Sequence, residues 1–228
     1  MGRTTIAIMG NPNSGKTTLF NKLTGSNQHV GNWPGVTVDR KTGQIHHAGT
    51  VVDVVDLPGI YSLSPYTQEE IIAREFVLSN GLDGILNIVD AANIERNLYL
   101  TMQLIALGLP MVIALNFIDD CRAQGIQIDC QAMSDLLGVR VIPISARRGE
   151  NMDTLLDAVV GEMRPPAHQP DYLHGVGAAI RRVSGLLDGL SLRRASLPFY
   201  AAKLLEGDSH VYESVALPDP VRHEISHV

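Results

Sequence analysis

A glycine-rich octapeptide is the feature that most constrains this fold. Residues 10–17 read Gly-Asn-Pro-Asn-Ser-Gly-Lys-Thr and match the pattern G-x-x-x-x-G-K-[ST]. An apolar run at residues 6–9 precedes the octapeptide, and a helical pattern at residues 16–23 follows it. We therefore predict a strand, a phosphate-binding loop and a helix in that order, and we name residues 10–17 the phosphate loop. The alternative is a glycine-rich turn that binds no ligand.

The residue types in this loop suit the phosphates of a nucleoside triphosphate. Gly10 and Gly15 let backbone N–H groups turn inward around phosphate oxygens, and the helix that follows adds its positive N-terminal end. Lys16 is expected to bridge the β- and γ-phosphates, and the hydroxyl of Thr17 is expected to bind Mg²⁺.

Apolar runs alternate with helical patterns along the first 163 residues. The predicted strands are residues 6–9, 51–55, 84–89, 111–115 and 139–144, and the predicted helices are residues 16–23, 68–79, 94–107, 131–137 and 152–163. This alternation predicts the α/β class, with a mostly parallel sheet and helices on both faces. Residues 41–47, followed by Gly49 and residues 51–55, predict a hairpin and one antiparallel edge strand.

A change of pattern at Pro165-Pro166 divides the chain. We predict a first domain at residues 1–166 and a small all-α domain at residues 167–228. In the second part a helical stripe of six apolar residues is followed by short helices at residues 198–205 and 220–227; the stripe comprises Leu173, Val176, Ile180, Val183, Leu187 and Leu190. About 60 residues with so few aromatic side chains make a thin core, so we expect this part to dock on the first domain or on another partner.

Charge and composition exclude several classes of protein. The chain has 18 basic and 24 acidic residues, and this net charge of −6 disfavours a nucleic-acid partner. Two cysteines cannot form a disulfide framework, which favours a reducing compartment. The longest apolar stretch, residues 107–115, is too short to span a membrane, and no signal-peptide pattern opens the chain. We expect a soluble, cytosolic chain.

A second motif agrees with the phosphate loop. Asp56-Leu57-Pro58-Gly59 ends the predicted strand 51–55 as D-x-x-G, at the sheet edge where ligands of open α/β sheets collect. Asp56 is expected to hold Mg²⁺ through water, and the amide of Gly59 is expected to face the γ-phosphate. By itself, this tetrapeptide is more often a structural turn.

Two further strand ends carry candidate base-reading residues. Asn116 and Asp119 follow the strand 111–115, and Ser145-Ala146 follow the strand 139–144. The Asp119 carboxylate can accept two N–H bonds from guanine but not from adenine. Asn116 is expected to bridge loops, and the Ala146 N–H is expected to donate to the guanine oxygen. The alternative for residues 116–119 is an ordinary helix start.

These motifs together carry a family resemblance. GNPNSGKT, Thr37, DLPG, NFID and SA resemble the Ras-like P-loop GTPases, and VGNWPGVTVDRKTG, DLPGIYSLSPYTQEE and FYAAKLLEGD are similar to the FeoB family of ferrous-iron transport proteins. The resemblance implies GTP or GDP and Mg²⁺ as ligands. The implied nucleotide-binding residues are Gly10, Asn11, Asn13, Ser14, Gly15, Lys16, Thr17, Thr18, Asp56, Gly59, Asn116, Asp119, Ser145 and Ala146.

The resemblance also implies the setting of the protein. The chain would be a G domain followed by a helical spacer of the GDI-like kind, on the cytoplasmic face of the bacterial inner membrane. Its partners would be a membrane part absent from this chain, small cytosolic Feo proteins and Fe²⁺ as the transported ion; an oligomer is permitted. Phe117 stands where most GTPases carry lysine, so we expect weaker nucleotide binding with guanine preference kept.

The hydrolytic machinery departs from the Ras pattern. Ile60 occupies the position after D-x-x-G where Ras-like enzymes place a water-orienting glutamine, so we expect other residues to act: Asn13, Lys16, Thr37 and Gly59. Thr37 is also expected to bind Mg²⁺. It lies in residues 29–42, which lack apolar periodicity and which we name the first switch segment.

Potassium activation follows from the resemblance. Potassium-activated GTPases carry an asparagine at the position of Asn13, and the main-chain carbonyls of Gly31 and Trp33 would complete a K⁺ site. For Asn13 the alternative is a turn former after Pro12, and for the Trp33 side chain it is a hydrophobic plug.

Two other functions remain open. A nucleotide-gated binding module would select partners with incidental turnover. A ribosome- or tRNA-associated GTPase shares the Asn13 pattern but lacks a basic RNA-binding region here.

Overall fold

A computed structural model describes residues 4–25, 28–64, 67–79, 81–168, 175–225 and 227. Its strands are β1 (Thr4–Gly10), β2 (Gln28–Asn32), β3 (Asp39–His47), β4 (Thr50–Asp56), β5 (Gly84–Asp90), β6 (Met111–Asn116) and β7 (Arg140–Pro143). Its helices are α1 (Lys16–Thr24), α2 (Gln68–Leu78), α3 (Ile94–Ala106), α4 (Ile118–Ala123), α5 (Cys130–Leu137), α6 (Met152–Asp157), α7 (Val176–Leu187), α8 (Leu197–Leu205), α9 (Ser209–Ser214) and α10 (Asp219–Ile225).

One seven-stranded sheet organises the first part of the chain. The strand order is β2-β3-β4-β1-β5-β6-β7. The pairs from β4 to β7 are all parallel, and β2-β3 and β3-β4 are antiparallel. Burial on both faces explains the continuous apolar runs of β5 and β6, as is typical of a covered parallel sheet. The predicted α/β class is confirmed.

The antiparallel side of the sheet corrects one prediction. The predicted hairpin exists, and Ala48 and Gly49 both have positive φ, at 49° and 77°, as a tight turn between twisted strands requires. However, β3 is not the edge strand, because β2 pairs with its other side. The sequence did not reveal β2, since it lies at the edge, is mostly exposed and has no apolar alternation.

Most helix predictions hold, with shifts of one or two residues. α2 begins with a capping box in which Thr67 and Glu70 each accept a bond from the other's backbone N–H. The predicted helix 152–163 is instead α6 followed by five residues of π-helix, Ala158–Glu162. α4, which is six residues long, was not predicted.

Among the described residues of the second part, the structure has four α-helices where three were predicted. Leu173 of the predicted stripe lies outside the described residues, and α7 buries Ile180, Val183 and Leu187. α9 was missed, and α10 ends at residue 225, before the predicted end at 227. The division of the chain near residue 166 stays a prediction.

This second part docks on the first, as predicted. The Ser196 hydroxyl donates to the carbonyl oxygen of Leu107 at 2.7 Å, and the Arg193 guanidinium donates to the carbonyls of Ser79 and Leu82. One hydrophobic cluster runs through α3, α7 and α8 without a break. The shared cluster relieves the thin core of the helical part. None of the helices in the described residues is long and apolar enough to cross a membrane.

Candidate functional site

The phosphate loop joins β1 to α1 and turns tightly under two neighbouring strands. Asn13 and Gly15 have left-handed φ values of 66° and 90°. A Cβ at Gly15 would lie 2.2 Å from Asn116 Nδ2, and one at Gly10 would lie 2.6 Å from the Ile88 carbonyl oxygen. Both glycines are therefore required by close approach, and the left-handed Asn13 agrees with its alternative reading as a turn former.

Two buried polar atoms of this loop mark it as a polar cradle. Asn11 Oδ1 and the Ser14 hydroxyl are buried and have no hydrogen-bond partner among the described residues. Buried polar groups are normally paired, because leaving one unpaired costs about 1–3 kcal/mol. The loop thus fits a polar ligand, as its motif predicts.

Lys16 and Asp56 form an ion pair across the site. Lys16 Nζ lies 2.6 Å from Asp56 Oδ1, and both side chains are largely buried. Burial raises the pKa of Asp56, and the neighbouring Lys16 opposes that rise without reversing it. Each group neutralises the charge of the other. Lys16 can therefore bind a phosphate only if the pair opens, or if the ammonium group contacts Asp56 and the phosphate together.

The residues predicted to bind Mg²⁺ line one cavity of 430 Å³. Thr17, Thr37 and Asp56 border it together with Lys16 and Glu69. Two hydroxyls and one carboxylate suit Mg²⁺, which keeps several waters and takes phosphate oxygens as further ligands. The donor set therefore fits the ion. Among the described residues, no three His, Cys, Asp or Glu side chains cluster as a metal site.

The D-x-x-G segment crosses directly over the phosphate loop. The Ile60 N–H donates to the Gly10 carbonyl oxygen at 3.2 Å, and a Cβ at Gly59 would lie 3.1 Å from Pro12 Cα. Gly59 also borders a second cavity with Asn13, of 630 Å³. The Ile60 side chain is buried in the core, 2% exposed, so it cannot orient a water in this arrangement.

Asn116 connects the predicted base-reading loop of Ala146 to the phosphate loop. Its Nδ2 donates to the Ser14 carbonyl oxygen at 2.9 Å, and its Oδ1 accepts from the Ala146 N–H at 2.9 Å. The predicted loop-bridging role is confirmed. The structure differs from one expectation, because the Ala146 N–H is already engaged by Asn116 rather than free for a guanine oxygen.

Asp119 lies in the first turn of α4 and is buried, with 3% of its side chain exposed. Its Oδ2 lies 2.9 Å from Arg148 Nε and 3.2 Å from Arg147 Nη2. Burial pushes the pKa of Asp119 up, but hydrogen bonds from Ser145 and Arg147 outweigh it and hold the pKa below its ordinary value. Asp119 is thus a buried carboxylate anion. A helix does begin at Ile118, but no side chain among the described residues caps its N-terminus, and base reading by Asp119 stays a prediction.

Phe117 covers the junction of these loops. It has a left-handed φ of 66° and borders the second cavity together with Asn13, Thr18 and Ala146. A Cβ at Gly15 would lie 3.4 Å from its ring. Its aromatic ring therefore lies against the phosphate loop and supplies no charge there.

The structure does not bring the predicted potassium ligands together. Gly31 lies in β2, paired with Arg40, and the carbonyl oxygen of Trp33 accepts the Val36 N–H at 3.3 Å. Neither residue borders the cavity that Asn13 lines. The described arrangement therefore does not form the expected K⁺ site.

Trp33 is an anchor of the first switch segment. Its ring is 9% exposed, packs edge-on against Phe76 of α2 at 5.4 Å and lies under the Arg40 guanidinium at 4.9 Å. The alternative reading of this side chain as a hydrophobic plug is correct. Because β2 and β3 occupy both ends of residues 29–42, the irregular part of the predicted switch is limited to residues 33–38.

The sequence analysis missed Arg147 and Arg148 beside Asp119. The signal was present as two adjacent basic residues directly after Ser145-Ala146. It also missed Arg74, which is 1% exposed and whose Nη1 lies 2.8 Å from Asp208 Oδ2 and 3.3 Å from the Leu63 carbonyl oxygen. No local pattern could show that pair, since its partners are 134 residues apart.

Comparison with known proteins identifies relatives of the chain. The family model described as Ferrous iron transport protein B matches residues 4–159. The Fe(2+) transporter FeoB of Salmonella typhimurium is 41% identical over 214 residues, covering 91% of this chain and 28% of the relative. An Fe(2+) transport protein A/Fe(2+) transporter FeoB fusion protein of Porphyromonas gingivalis is 40% identical over 214 residues, covering 90% of this chain and 25% of the relative. The chain spans about a quarter of the length of these curated relatives.

Solved structures resemble the chain over nearly its whole length. The cytosolic domain of L. pneumophila FeoB is 36% identical with a TM-score of 0.89, covering 99% of this chain and 90% of that one. NFeoB from S. thermophilus bound to GDP.AlF4- and K+ is 45% identical with a TM-score of 0.86, covering 98% of this chain and 88% of that one.

Proposed function

Because the chain belongs to the ferrous iron transport protein B family, we propose that it is the GTP-binding and GTP-hydrolysing part of a membrane transporter for Fe²⁺. One observation carries the nucleotide role: Asn116 joins the phosphate loop to the loop of Ala146, beside the buried anion of Asp119. A guanine nucleotide has its base and its phosphates held by just such a linked pair of loops. Nucleotide state would then be coupled to Fe²⁺ uptake.

Base selection would rest on Asp119. Its carboxylate accepts the two N–H donors of guanine, whereas adenine would leave a buried anion unpaired. Phe117 packs beside the base position, and the linked loops of Asn116 and Ala146 fix the orientation of the base.

Phosphate binding would rest on Lys16 and the hydroxyl of Thr17. When Lys16 leaves Asp56 for the phosphates, Asp56 becomes the free anion that a divalent cation requires. The residues that would hold Mg²⁺ are Thr17, Thr37 and Asp56, and the ion would supply charge neutralisation between the β- and γ-phosphates.

For hydrolysis, the main-chain groups of Thr37 and Gly59 would position the attacking water and the γ-phosphate. Ile60 has no polar atom to offer and is buried, so the glutamine-dependent route of Ras-like enzymes is closed to this chain. Asn13, at the mouth of the phosphate loop, would contribute a side-chain oxygen beside the phosphates.

Potassium dependence is part of the proposal. It is supported by the 45% identical S. thermophilus structure, which is bound to GDP.AlF4- and K+. For Gly31 and Trp33 to join Asn13, the first switch segment would have to leave the arrangement described above, in which the Trp33 carbonyl is bonded to Val36.

The setting we propose is the cytoplasmic face of a bacterial inner membrane. The curated relatives are about four times as long as this chain and are named Fe(2+) transporters, so a membrane part would be the main partner. The fusion with an Fe(2+) transport protein A in Porphyromonas gingivalis supports small Feo proteins as further partners. Residues 167–228 would be the helical spacer between the G domain and that membrane part.

A nucleotide-gated binding module remains the second candidate, and one observation favours it. Ile60 replaces the residue that usually orients water, so turnover could be incidental to a choice of partners. Turnover that is negligible in every salt would support the module over the enzyme.

The test of the proposed function is phosphate release from GTP by wild type and Lys16→Ala. We expect Lys16→Ala to lose about a thousandfold in activity, because it removes charge stabilisation from the transition state. Lys22→Ala is the matched control, since Lys22 is an exposed residue of the same helix. Activity of Lys16→Ala within twofold of wild type would disprove the phosphate-loop assignment.

A further inference from the structure

The base-reading carboxylate is held by two arginines of its own chain. Oδ2 of Asp119 is contacted by Arg148 Nε at 2.9 Å and by Arg147 Nη2 at 3.2 Å. Arg147 also reaches Asp120 Oδ1 at 3.3 Å. Guanine needs both oxygens of this carboxylate, one for each N–H donor, so the arginines occupy part of the surface that the base must contact.

The two partners differ sharply in exposure. The Asp119 side chain is 3% exposed, whereas the Arg147 and Arg148 side chains are 68% and 64% exposed. A buried anion without a partner is costly, while exposed guanidinium groups return to water easily. The arginines can therefore satisfy Asp119 and yet be displaced by a better-fitting ligand.

We propose that Arg147 and Arg148 compete with guanine for Asp119 and so lower the apparent affinity of the site for guanine nucleotides. The inference rests on the proposed function, since it assumes that Asp119 reads the base. By stabilising the carboxylate whenever no base contacts it, the arginines lower the free energy of the unliganded protein. The apparent affinity equals the intrinsic affinity multiplied by the fraction of unliganded molecules in which Asp119 is free to accept the base.

The backbone N–H of Ala146 is also paired within the protein, as Asp119 is. The Ala146 N–H, which precedes the two arginines directly, is bonded to Asn116 Oδ1 at 2.9 Å. The loop that carries the arginines thus has its own internal partners for both base-facing groups, the donor of Ala146 and the acceptor of Asp119. Base binding exchanges these internal bonds for bonds to the ligand.

Removal of the arginines tests the competition. The variant Arg147→Ala/Arg148→Ala leaves Asp119 with fewer partners in the unliganded protein, so we expect methylanthraniloyl-GDP to bind about fivefold more tightly. Most of the gain should be a faster association rate. Of the single variants, Arg148→Ala should have the larger effect, because its bond to Asp119 is shorter and is not shared with Asp120.

A charge-matched control separates this effect from the loss of two positive charges. Arg182 and Arg194 are also exposed, at 58% and 86%, and each has an acidic partner on the helical part. Arg182→Ala/Arg194→Ala should bind methylanthraniloyl-GDP as wild type does.

Two results would overturn the competition. Arg147 also borders the 630 Å³ cavity, so arginines that hold the nucleotide itself would make the double variant bind more weakly. Unchanged affinity would equally refute the inference. Both results are distinct from failure of the proposed function, in which wild type would not prefer methylanthraniloyl-GDP to the matching adenine nucleotide at all.

Discussion

The two sides of the nucleotide site are built in different ways. On the base side, Asn116, Asp119 and Ala146 are buried, follow the ends of β6 and β7 within a few residues and are already hydrogen-bonded to one another's loops. On the switch side, Thr37 comes from the short segment of residues 33–38 between β2 and β3, and the charged pair of Lys16 and Asp56 has to open, or share its charges with the ligand, before it can serve one.

The difference shows how each side can respond to nucleotide. The base side consists of short loops on buried parallel strands, so we expect it to respond by exchanging bonds between its own arginines and a base. The switch side is anchored instead by two side-chain contacts, Trp33 against Phe76 and Arg74 against Asp208. Such discrete contacts can be released, which is what an order–disorder switch requires.

The largest expected effect concerns the base side. Asp119→Asn replaces one acceptor oxygen by a donor facing the donors of guanine, so guanine preference should fall by about a thousandfold. Xanthosine triphosphate, which has an oxygen in place of the amine, should gain relative to GTP. Competition binding among GTP, ATP and xanthosine triphosphate measures both changes.

The matched control for that experiment is Asp120→Asn, which alters the adjacent, 46% exposed carboxylate. It should keep the preference for GTP. If Asp119→Asn also kept the preference for GTP, Asp119 would not select guanine.

The sequence predicts the base side better than the switch side. The positions of the following site residues in the fold follow local patterns, whereas their roles toward a ligand stay predictions: Asp56 and Asn116 end strands, and Lys16 and Asp119 lie in the first turns of the helices that follow strands. Parallel pairing then brings these ends to one edge of the sheet, so local patterns suffice.

The switch side was predicted poorly because long-range contacts decide it. Nothing local in Gln28–Asn32 indicates a strand; pairing with β3 creates it. Gly31 and Trp33 were expected beside Asn13, but Gly31 lies in β2 and the Trp33 ring packs against Phe76 of α2. Arg74 and Asp208, separated by 134 residues, could be joined only by the docking of the helical part.

The second prediction tests the anchor of the switch side. Asp208→Asn should reduce the free energy of unfolding by about 3 kcal/mol, because it leaves the Arg74 cation, 1% exposed, without its counter-charge. Asparagine can still cap α9, where Asp208 accepts the Val211 N–H, so capping is preserved. Urea unfolding measures the change.

The effect should depend on pH in a defined direction. Burial raises the pKa of Asp208, but the hydrogen bond from Arg74 outweighs it and holds the pKa below its ordinary value of 3.8. Because the pKa of Asp208 is lowered in the folded state, the ionised carboxylate stabilises the fold fully at pH values above the ordinary pKa. This stabilisation is lost as the pH falls through the lowered pKa. The gap between wild type and Asp208→Asn should therefore be full at neutral pH and shrink in strong acid.

Asp188→Asn is the control for this anchor. Asp188 lies 3.8 Å from Arg194, and the two side chains are 55% and 86% exposed. Such a pair contributes about 0.5 kcal/mol or less. Equal losses in the two variants would show that the Arg74–Asp208 pair does not anchor the switch side.

The smallest expected effect is the potassium dependence of GTP turnover. It tests whether the switch side can assemble a cation site that the structure does not display. Turnover of GTP should rise about tenfold when Na⁺ is replaced by K⁺ at constant ionic strength, equivalent to about 1.4 kcal/mol of transition-state stabilisation. Asn13→Ala should remove most of this rise while leaving GDP affinity nearly unchanged, because the charge concerned develops only in the transition state. Ile60→Val should keep the rise, since Ile60 is a buried apolar residue 2% exposed and the shorter side chain costs only about 1 kcal/mol of stability. Phosphate release at saturating GTP, measured for all three proteins in both salts, gives the answer. Equal rates of wild type in the two salts would mean that Gly31 and Trp33 stay where the Trp33–Phe76 contact holds them, and that the switch side works without potassium.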